Sequence, residues 1–351
     1  MKEVSRMKIL FIGGTGTISA GITRELIKNP KMELYLLNRG SRNEEFGDKV
    51  TFIKGDINKE DEIARKIKGL QFDVIADFIG YLPEHIERDY RLFKGKTKQF
   101  IYISSASAYQ KPLNDYRITE ATPLYNPYWE YSRNKIACED YLIRLYRNEG
   151  FPVTIIRPSH TYDERSVPVG VRGEKGSWQV IKRILEGKPV IIHGDGTSLW
   201  TMTHTCDFAK GFIGLMGNFR AIGETIHITS DETLTWNQIY QCIANALGVE
   251  LNAYHVASEF LAAVSDYDFI GGLIGDKANS VVFDNSKLKR LVPDFVATKR
   301  FEEGIKETID YILTHEECQK EDQAFEAWCN DVIEVLEEAK NTLVNKSNVL
   351  S

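Results

Sequence analysis

The chain has 351 residues, a length that accommodates one large α/β domain or two domains. Its 44 Lys+Arg against 50 Asp+Glu give a formal net charge of −6, which argues against a surface built to grip a phosphate backbone. Hydrophobic residues at 42% and charged residues at 27% exclude a disordered chain.

Taken in chain order, short apolar runs alternate with helical patterns. Lys8 to Ile12 is expected as a strand, and Ile18 to Lys28 as a helix that stops at Asn29-Pro30. Further strands are expected at Glu33–Leu37, Val50–Ile53, Phe72–Phe78, Phe100–Ser104 and Val153–Ile156, with the longest helix from about Trp129 to Glu149. Strands that are nearly all apolar and separated by helices belong to a parallel sheet covered on both faces. The fold class is therefore α/β, a doubly wound Rossmann sheet over residues 1–165. After Arg157-Pro158 the pattern shifts to glycine- and proline-punctuated segments. These include a helix near Trp178–Leu185, a strand at Val190–Ile192 and a helix at Asp207–Met216. This region, 166–315, is expected to form a smaller α/β substrate-binding domain over the sheet edge, with some segments returning to the first domain.

Strand one runs into Gly13-Gly14-Thr15-Gly16-Thr17-Ile18-Ser19 and then a helix. Glycines at a strand-to-helix turn let the backbone bend tightly and approach a pyrophosphate, which the free N–H groups of the helix start stabilise. Gly13, Thr15, Gly16, Thr17 and Ile18 are the candidate phosphate cradle, with Ser19 standing where a third glycine is usual. A carboxylate at the end of strand two would favour NAD, but here the chain reads Asn38-Arg39-Gly40-Ser41-Arg42. Guanidinium forks at Arg39 and Arg42 suit a ribose 2′-phosphate, so NADP is expected, with NAD as the alternative.

Tyr131 and Lys135 stand four apart on the long helix and so share a face. An ammonium beside a phenol favours the phenolate and lets the tyrosine exchange protons near neutral pH. Strand five ends in Ser104-Ser105-Ala106-Ser107-Ala108-Tyr109, placing hydroxyls at the carboxyl edge of the sheet, where ligands of α/β proteins bind.

With these residues in place, the chain resembles the extended short-chain dehydrogenase/reductases, the NAD-dependent epimerase/dehydratase family, over about residues 7–312. The resemblance rests on Gly13-Gly14-Thr15-Gly16, Gly55-Asp56, Ser104-Ser105 with Tyr109, Tyr131 with Lys135, Arg157-Pro158 with Tyr162, and Gly194-Asp195-Gly196 followed by His204 and Asp207. It implies Ser105, Tyr131 and Lys135 as catalytic residues and Asp56-Ile57 as the adenine-contacting pair. It also implies hydride transfer at a hydroxyl or carbonyl carbon of a small, sugar-like substrate. Tyr131 would move the proton, Lys135 would hold the nicotinamide ribose, and Ser105 would bond the carbonyl oxygen.

The family's nucleotide-sugar members often carry an arginine four residues before the equivalent of His204, where this chain has Trp200, a residue suited to stacking or to a core. Asp163 stands where glycine is common after Tyr162. Ser107, His160 and Trp200 are the candidate substrate contacts, while His204 is read as ordering the loop before the following helix. Ser105-Ala106-Ser107 lacks the carboxylate that a dehydratase places beside its serine, which disfavours dehydration. The alternative is a catalytically idle, dinucleotide-bound binding protein for RNA or a regulatory partner. Asn38-Arg39-Gly40 and Trp200 resemble the divergent branch that includes chloroplast stem-loop-binding proteins.

The five cysteines (Cys138, Cys206, Cys242, Cys318, Cys329) contain no Cys-x-x-Cys pair, and no His/Asp/Glu group has ligand spacing, so neither disulfides nor a metal is expected. The apolar run Ile9–Ile12 is too short for a signal peptide, and no stretch approaches the roughly 20 residues of a membrane span. A cytoplasmic protein without a membrane partner is the expectation, and a homodimer is open. Residues 316–351 are expected as a separate helix with Phe325, Trp328, Val332, Val335, Ala339 and Leu343 on one stripe, covered by the second domain or by a partner subunit. This segment holds nine acidic residues against three lysines, so the chain's entire net charge of −6 lies in its tail.

Overall fold

The structure, a computed structural model, describes residues 6–40 and 45–349. The chain divides into two compact units. The first takes the described residues of Met1–Asp163 together with Thr201–Thr233 and Val281–Arg300; the second takes Glu164–Trp200, Leu234–Ser280 and the described residues of Phe301–Ser351.

The first unit is built on a seven-stranded parallel sheet. Its strands are β1 (Met7–Ile12), β2 (Met32–Asn38), β3 (Thr51–Lys54), β4 (Phe72–Asp77), β5 (Thr97–Ile103), β6 (Val153–Pro158) and β7 (Thr225–Ile228), in the order β7-β6-β5-β4-β1-β2-β3. Alternation along β1 shows why the sheet is doubly covered. Ile9 and Phe11 pack into one apolar cluster and Leu10 and Ile12 into another, all fully buried. Helices α1 (Thr17–Leu26), α2 (Glu60–Lys66), α3 (Pro83–Phe93) and α4 (Glu130–Glu149) connect the strands. Because the strand order reverses between β1 and β4, a crevice opens at their carboxyl ends, where ligands of such sheets bind. Strand and helix positions expected from the apolar runs agree with these elements to within a few residues.

In the second unit, Val190–His193 pairs in parallel with Ala253–Val256, and Leu199–Trp200 pairs antiparallel with Leu234–Thr235. The tail belongs to this unit and departs from the single helix expected from Glu316 onward. A short turn at Glu316–Cys318 precedes the helix Gln323–Val349. Its first half is packed: Phe325 and Cys329 are buried, and Phe325 and Trp328 join Tyr267 and Phe269 in a ring cluster with centroids 5.5–5.7 Å apart. Its acidic residues meet the bases of helix Trp178–Leu185 and the turn after it: Lys182 pairs with Glu321, and Arg183 and Lys188 pair with Glu326. Burial opposes the Glu326 charge, but Lys188, Arg183 and Gln179 outweigh it and hold the carboxyl down at about 2. The tail's acidity is thus partly neutralised within its own unit. Beyond Val332 the stripe opens to solvent, with Val335, Leu343 and Val344 all more than half exposed. Among the described residues, no helix is long and apolar enough to cross a membrane.

The division of the tail into a packed half and an open half has a direct consequence. Phe325→Ala should cost about 3–5 kcal/mol in urea unfolding, whereas Leu343→Ala should stay within about 0.5 kcal/mol. Equal effects would contradict this assignment of the two halves.

Candidate active site

The loop between β1 and α1 is held by its own side chains. Ser19 Oγ donates to Gly13 O (2.8 Å) and accepts from Gly16 N (2.9 Å), while Thr23 Oγ1 donates to Gly14 O (3.1 Å). Serine in place of a third glycine therefore has a local cause: its hydroxyl ties both ends of the loop together. The glycines divide their work. A Cβ on Gly13, which has φ +82°, would fall 2.5 Å from Ile79 Cγ2, and one on Gly14 would overlap Leu36. Gly16 is exposed and meets only Ser19. Two glycines are thus demanded by close packing, on Ile79 after β4 and on Leu36 of β2, and the third leaves the helix start open. There Thr17 and Ile18 present first-turn N–H groups that no helix satisfies internally.

A groove of about 510 Å³ runs from this loop along the carboxyl ends of β1–β3, lined among others by Gly13, Thr15, Asn38, Arg39, Asp56 and Ile57. Its volume lies within the range of small-molecule sites. Asn38 Oδ1 accepts from Gly40 N (3.0 Å), and Asn38 Nδ2 is buried with no hydrogen-bond partner. A buried amide donor without an acceptor is costly unless a ligand supplies one, so these residues fit a bound dinucleotide. Arg39 is exposed at the groove; Arg42 lies outside the described residues.

At the crevice, α4 carries Tyr131 and Lys135. Lys135 is 2% exposed, and its Nζ donates to Gly80 O and Ile103 O, both at 2.7 Å. The ammonium stands 4.8 Å from the ring centroids of Tyr81 and Tyr102 and 5.8 Å from that of Tyr131. Burial pushes Lys135 down to about 8, with the Asp77 charge resisting the fall. Tyr131 is half-buried, its ring 5.0 Å from that of Trp129. Ser105 Oγ and Ser107 Oγ lie 2.9 Å apart, and Ser132 Oγ donates to Ser107 Oγ at 2.7 Å. The structure therefore gathers Ser105 and Ser107 with the residue that follows Tyr131 on α4.

The remaining candidates are placed by contacts of their own. His160 is half-buried in the short strand His160–Tyr162, which pairs with Met202–His204. Trp200 belongs to the second unit, is 5% exposed and packs its ring 5.7 Å from Trp236, so it sits within a core. His204 caps the helix Thr205–Leu215, its Nδ1 accepting from Cys206 N at 3.2 Å.

The sequence motifs included Arg157 but gave it no partner, and they passed over Glu139 and Asp77. Arg157 on β6 pairs with Glu139 on α4 through two bonds of 2.9 and 2.5 Å and lies 4.7 Å over the Tyr109 ring. Asp77, at the end of β4, accepts from Ile79 N (2.8 Å) and Gly80 N (3.1 Å). A carboxylate directly after the apolar run Val74–Ala76 was the available signal.

The profile of the NAD dependent epimerase/dehydratase family matches residues 9–229. A 2'-dehydrokanamycin reductase from Streptomyces kanamyceticus is 24% identical over 294 residues, covering 84% of this chain and 81% of that protein. The chloroplast stem-loop binding protein of 41 kDa b from Arabidopsis thaliana is 26% identical over 257 residues, 70% of this chain and 64% of its own length. Among solved structures, UDP-glucuronic acid 4-epimerase from Bacillus cereus, in complex with UDP-glucuronic acid and NAD, superposes with a TM-score of 0.70 at 22% identity, covering 88% of this chain and 99% of that one. Glycine loop, parallel sheet and Tyr/Lys helix thus coincide with the family match, and the chain belongs to the NAD dependent epimerase/dehydratase family of extended short-chain dehydrogenase/reductase enzymes.

Proposed function

We propose that this enzyme reduces, oxidises or epimerises a carbinol or carbonyl carbon of a sugar-like substrate with NADP, Tyr131 being the proton-transfer residue. The observation that carries this reading is the buried Lys135 ammonium, 5.8 Å from the Tyr131 ring centroid, in the unit that holds the glycine-loop groove.

A bound nicotinamide supplies the hydride acceptor or donor. The chain's own residues supply the rest. Lys135 has three N–H donors, and two are spent on Gly80 O and Ile103 O, which leaves one for the cofactor ribose. The same positive charge favours the phenolate of Tyr131 over the phenol, so the hydroxyl gives a proton to a substrate carbonyl or takes one from a substrate alcohol. Ser105 Oγ is within reach of Ser107 Oγ, which itself accepts from Ser132 Oγ. This chain of hydroxyls orients the Ser105 proton toward an oxygen gaining negative charge. Ser105-Ala106-Ser107 offers no carboxylate beside the serine, which favours reduction or epimerisation over dehydration.

Support for NADP comes from Arg39 at the groove and from the unpartnered amide of Asn38 beside it. The sugar-like substrate draws on the B. cereus structure with its UDP-sugar and on the S. kanamyceticus reductase. Trp200 supplies no cation where an arginine would clamp a diphosphate, so the substrate need not carry one.

In a screen of keto-sugars and nucleotide sugars read by NADPH absorbance, Tyr131→Phe should lower turnover about a hundredfold or more while leaving NADPH affinity unchanged. Full activity in that variant would overturn the assignment. Arg39→Ala should weaken NADPH binding about tenfold and leave NADH binding unchanged in fluorescence titrations. An equal loss for both cofactors would place the arginine elsewhere than at the 2′-phosphate.

A further inference from the structure

Behind Lys135 the first unit buries two carboxyl groups together. Asp77 ends β4 and Asp89 lies on α3; both are 0% exposed. Asp77 Oδ2 and Asp89 Oδ2 are both buried with no hydrogen-bond donor reaching them, and the two carboxyl groups are near enough for one, once protonated, to bond to the other. Two ionised carboxylates buried side by side repel, an arrangement that favours one proton held between them. Asp77 Oδ1 already takes two backbone N–H bonds, from Ile79 and Gly80. Burial and the Asp77 charge push the Asp89 carboxyl well above its usual range, against the pull of Arg88.

Gly80 joins this pair to the active site. Its N–H is held by Asp77, and its carbonyl accepts both from Lys135 Nζ (2.7 Å) and from Tyr102 Oη (3.1 Å). A Cβ on Gly80 would overlap Asp77 Oδ2, so the loop passes directly over the carboxylate. On its other side, Asp89 Oδ1 accepts from Arg88 Nε (2.9 Å), and Arg88 Nη1 donates to Asn58 Oδ1 (2.7 Å), a residue lining the dinucleotide groove.

We propose that the Asp77–Asp89 pair is a positioning unit for Lys135: sharing one proton, it fixes the Gly80 loop that receives the ammonium and presents a single buried negative charge to it. The inference rests on the role given to Lys135 above. The groups around the ammonium support it by elimination. β4 contributes Asp77, the loop after it Tyr81, α3 His85 and β5 Tyr102. Its own helix contributes Tyr131, Cys138 and Glu139. Burial pushes the Cys138 thiol up to about 11 and the Tyr81 and Tyr102 phenols upward, and it lowers His85, which leaves all four neutral near pH 7. The Glu139 carboxylate is spent on Arg157. Arg88 stands behind Asp89, on the side of Asn58. Of the two carboxylates that act on Lys135, Asp77 has the larger effect, and Glu139 is already paired with Arg157.

The test reads the lysine itself and needs neither substrate nor turnover. In the full chain with 13C-labelled lysine, the Lys135 Cε signal is identified by its loss in Lys135→Met and is followed with pH. Asp89→Asn keeps the shared hydrogen bond and the Asp77 charge, so its midpoint should stay within about 0.3 pH units of the unsubstituted protein. Asp77→Asn/Asp89→Asn removes the remaining charge and should lower the midpoint by a pH unit or more, a tenfold change in the proton equilibrium. An unmoved midpoint in the double variant, or a shift of that size in Asp89→Asn alone, would overturn the proposal. If the double variant does not fold, the 13C-carboxyl titration of the unsubstituted protein decides. One carboxyl of the pair should remain protonated at pH 7, with its signal absent from Asp89→Asn; two ionised carboxylates at pH 7 would refute the proton sharing. Because Lys135 is observed directly, failure here is separate from failure of the keto-sugar assay, which tests the hydride-transfer reading.

Discussion

The Lys135 ammonium lies between two carbonyl oxygens, Gly80 O and Ile103 O, each 2.7 Å away. Those carbonyls follow β4 and end β5, so one side chain pins the amino-terminal part of α4 to the carboxyl edge of the sheet. A charge taken this far from water is costly unless hydrogen bonds and an opposite charge replace its hydration. The rings of Tyr81 and Tyr102 and the carboxylate of Asp77 provide that replacement, and their positions follow from it. Gly80 has no side chain because the carboxylate occupies the space one would need. Tyr131, one helical turn before Lys135, is delivered to the crevice by the same anchor.

The opposite charges at Glu139 and Arg157 hold the helix four residues further on, so α4 is fixed at two successive turns. A buried ion pair contributes little net stability relative to an apolar pair of the same shape, but losing one partner leaves an uncompensated charge. Its value here is geometric: Arg157 also lies over the Tyr109 ring, whose hydroxyl bonds to His227 Nδ1 at 3.0 Å. Catalytic geometry in general tolerates errors of only a fraction of an ångström, and here α4 is held at the sheet edge by buried polar contacts as well as by apolar packing.

How much of this was legible in the sequence divides along physical lines. Alternating apolar runs dictated the doubly covered parallel sheet, since Ile9/Phe11 and Leu10/Ile12 have to face two cores. Local motifs carried the glycine loop and the Tyr131/Lys135 helix face, because those depend on residues close in the chain. The structure added what depends on distant residues meeting. The role of Ser19 as a loop tie, the Asp77–Asp89 pair and the Glu139–Arg157 clamp join elements 12 to 18 residues apart or link a loop to itself, and no periodicity marks them. Trp200 shows the converse: an aromatic at an interesting motif position is placed by its packing on Trp236, which the motif does not encode. The tail stripe was visible, but its division at Val332 depends on where helix Trp178–Leu185 and the Tyr267 cluster end.

The action of Lys135 on Tyr131 is tested most directly by the phenol's own titration. With cofactor bound, the ultraviolet difference spectrum of the full chain should show one phenolate forming well below the ordinary value near 10. That transition should be absent in Tyr131→Phe and displaced upward in Lys135→Met. Identical titrations for the unsubstituted protein and Tyr131→Phe up to pH 9 would contradict the account.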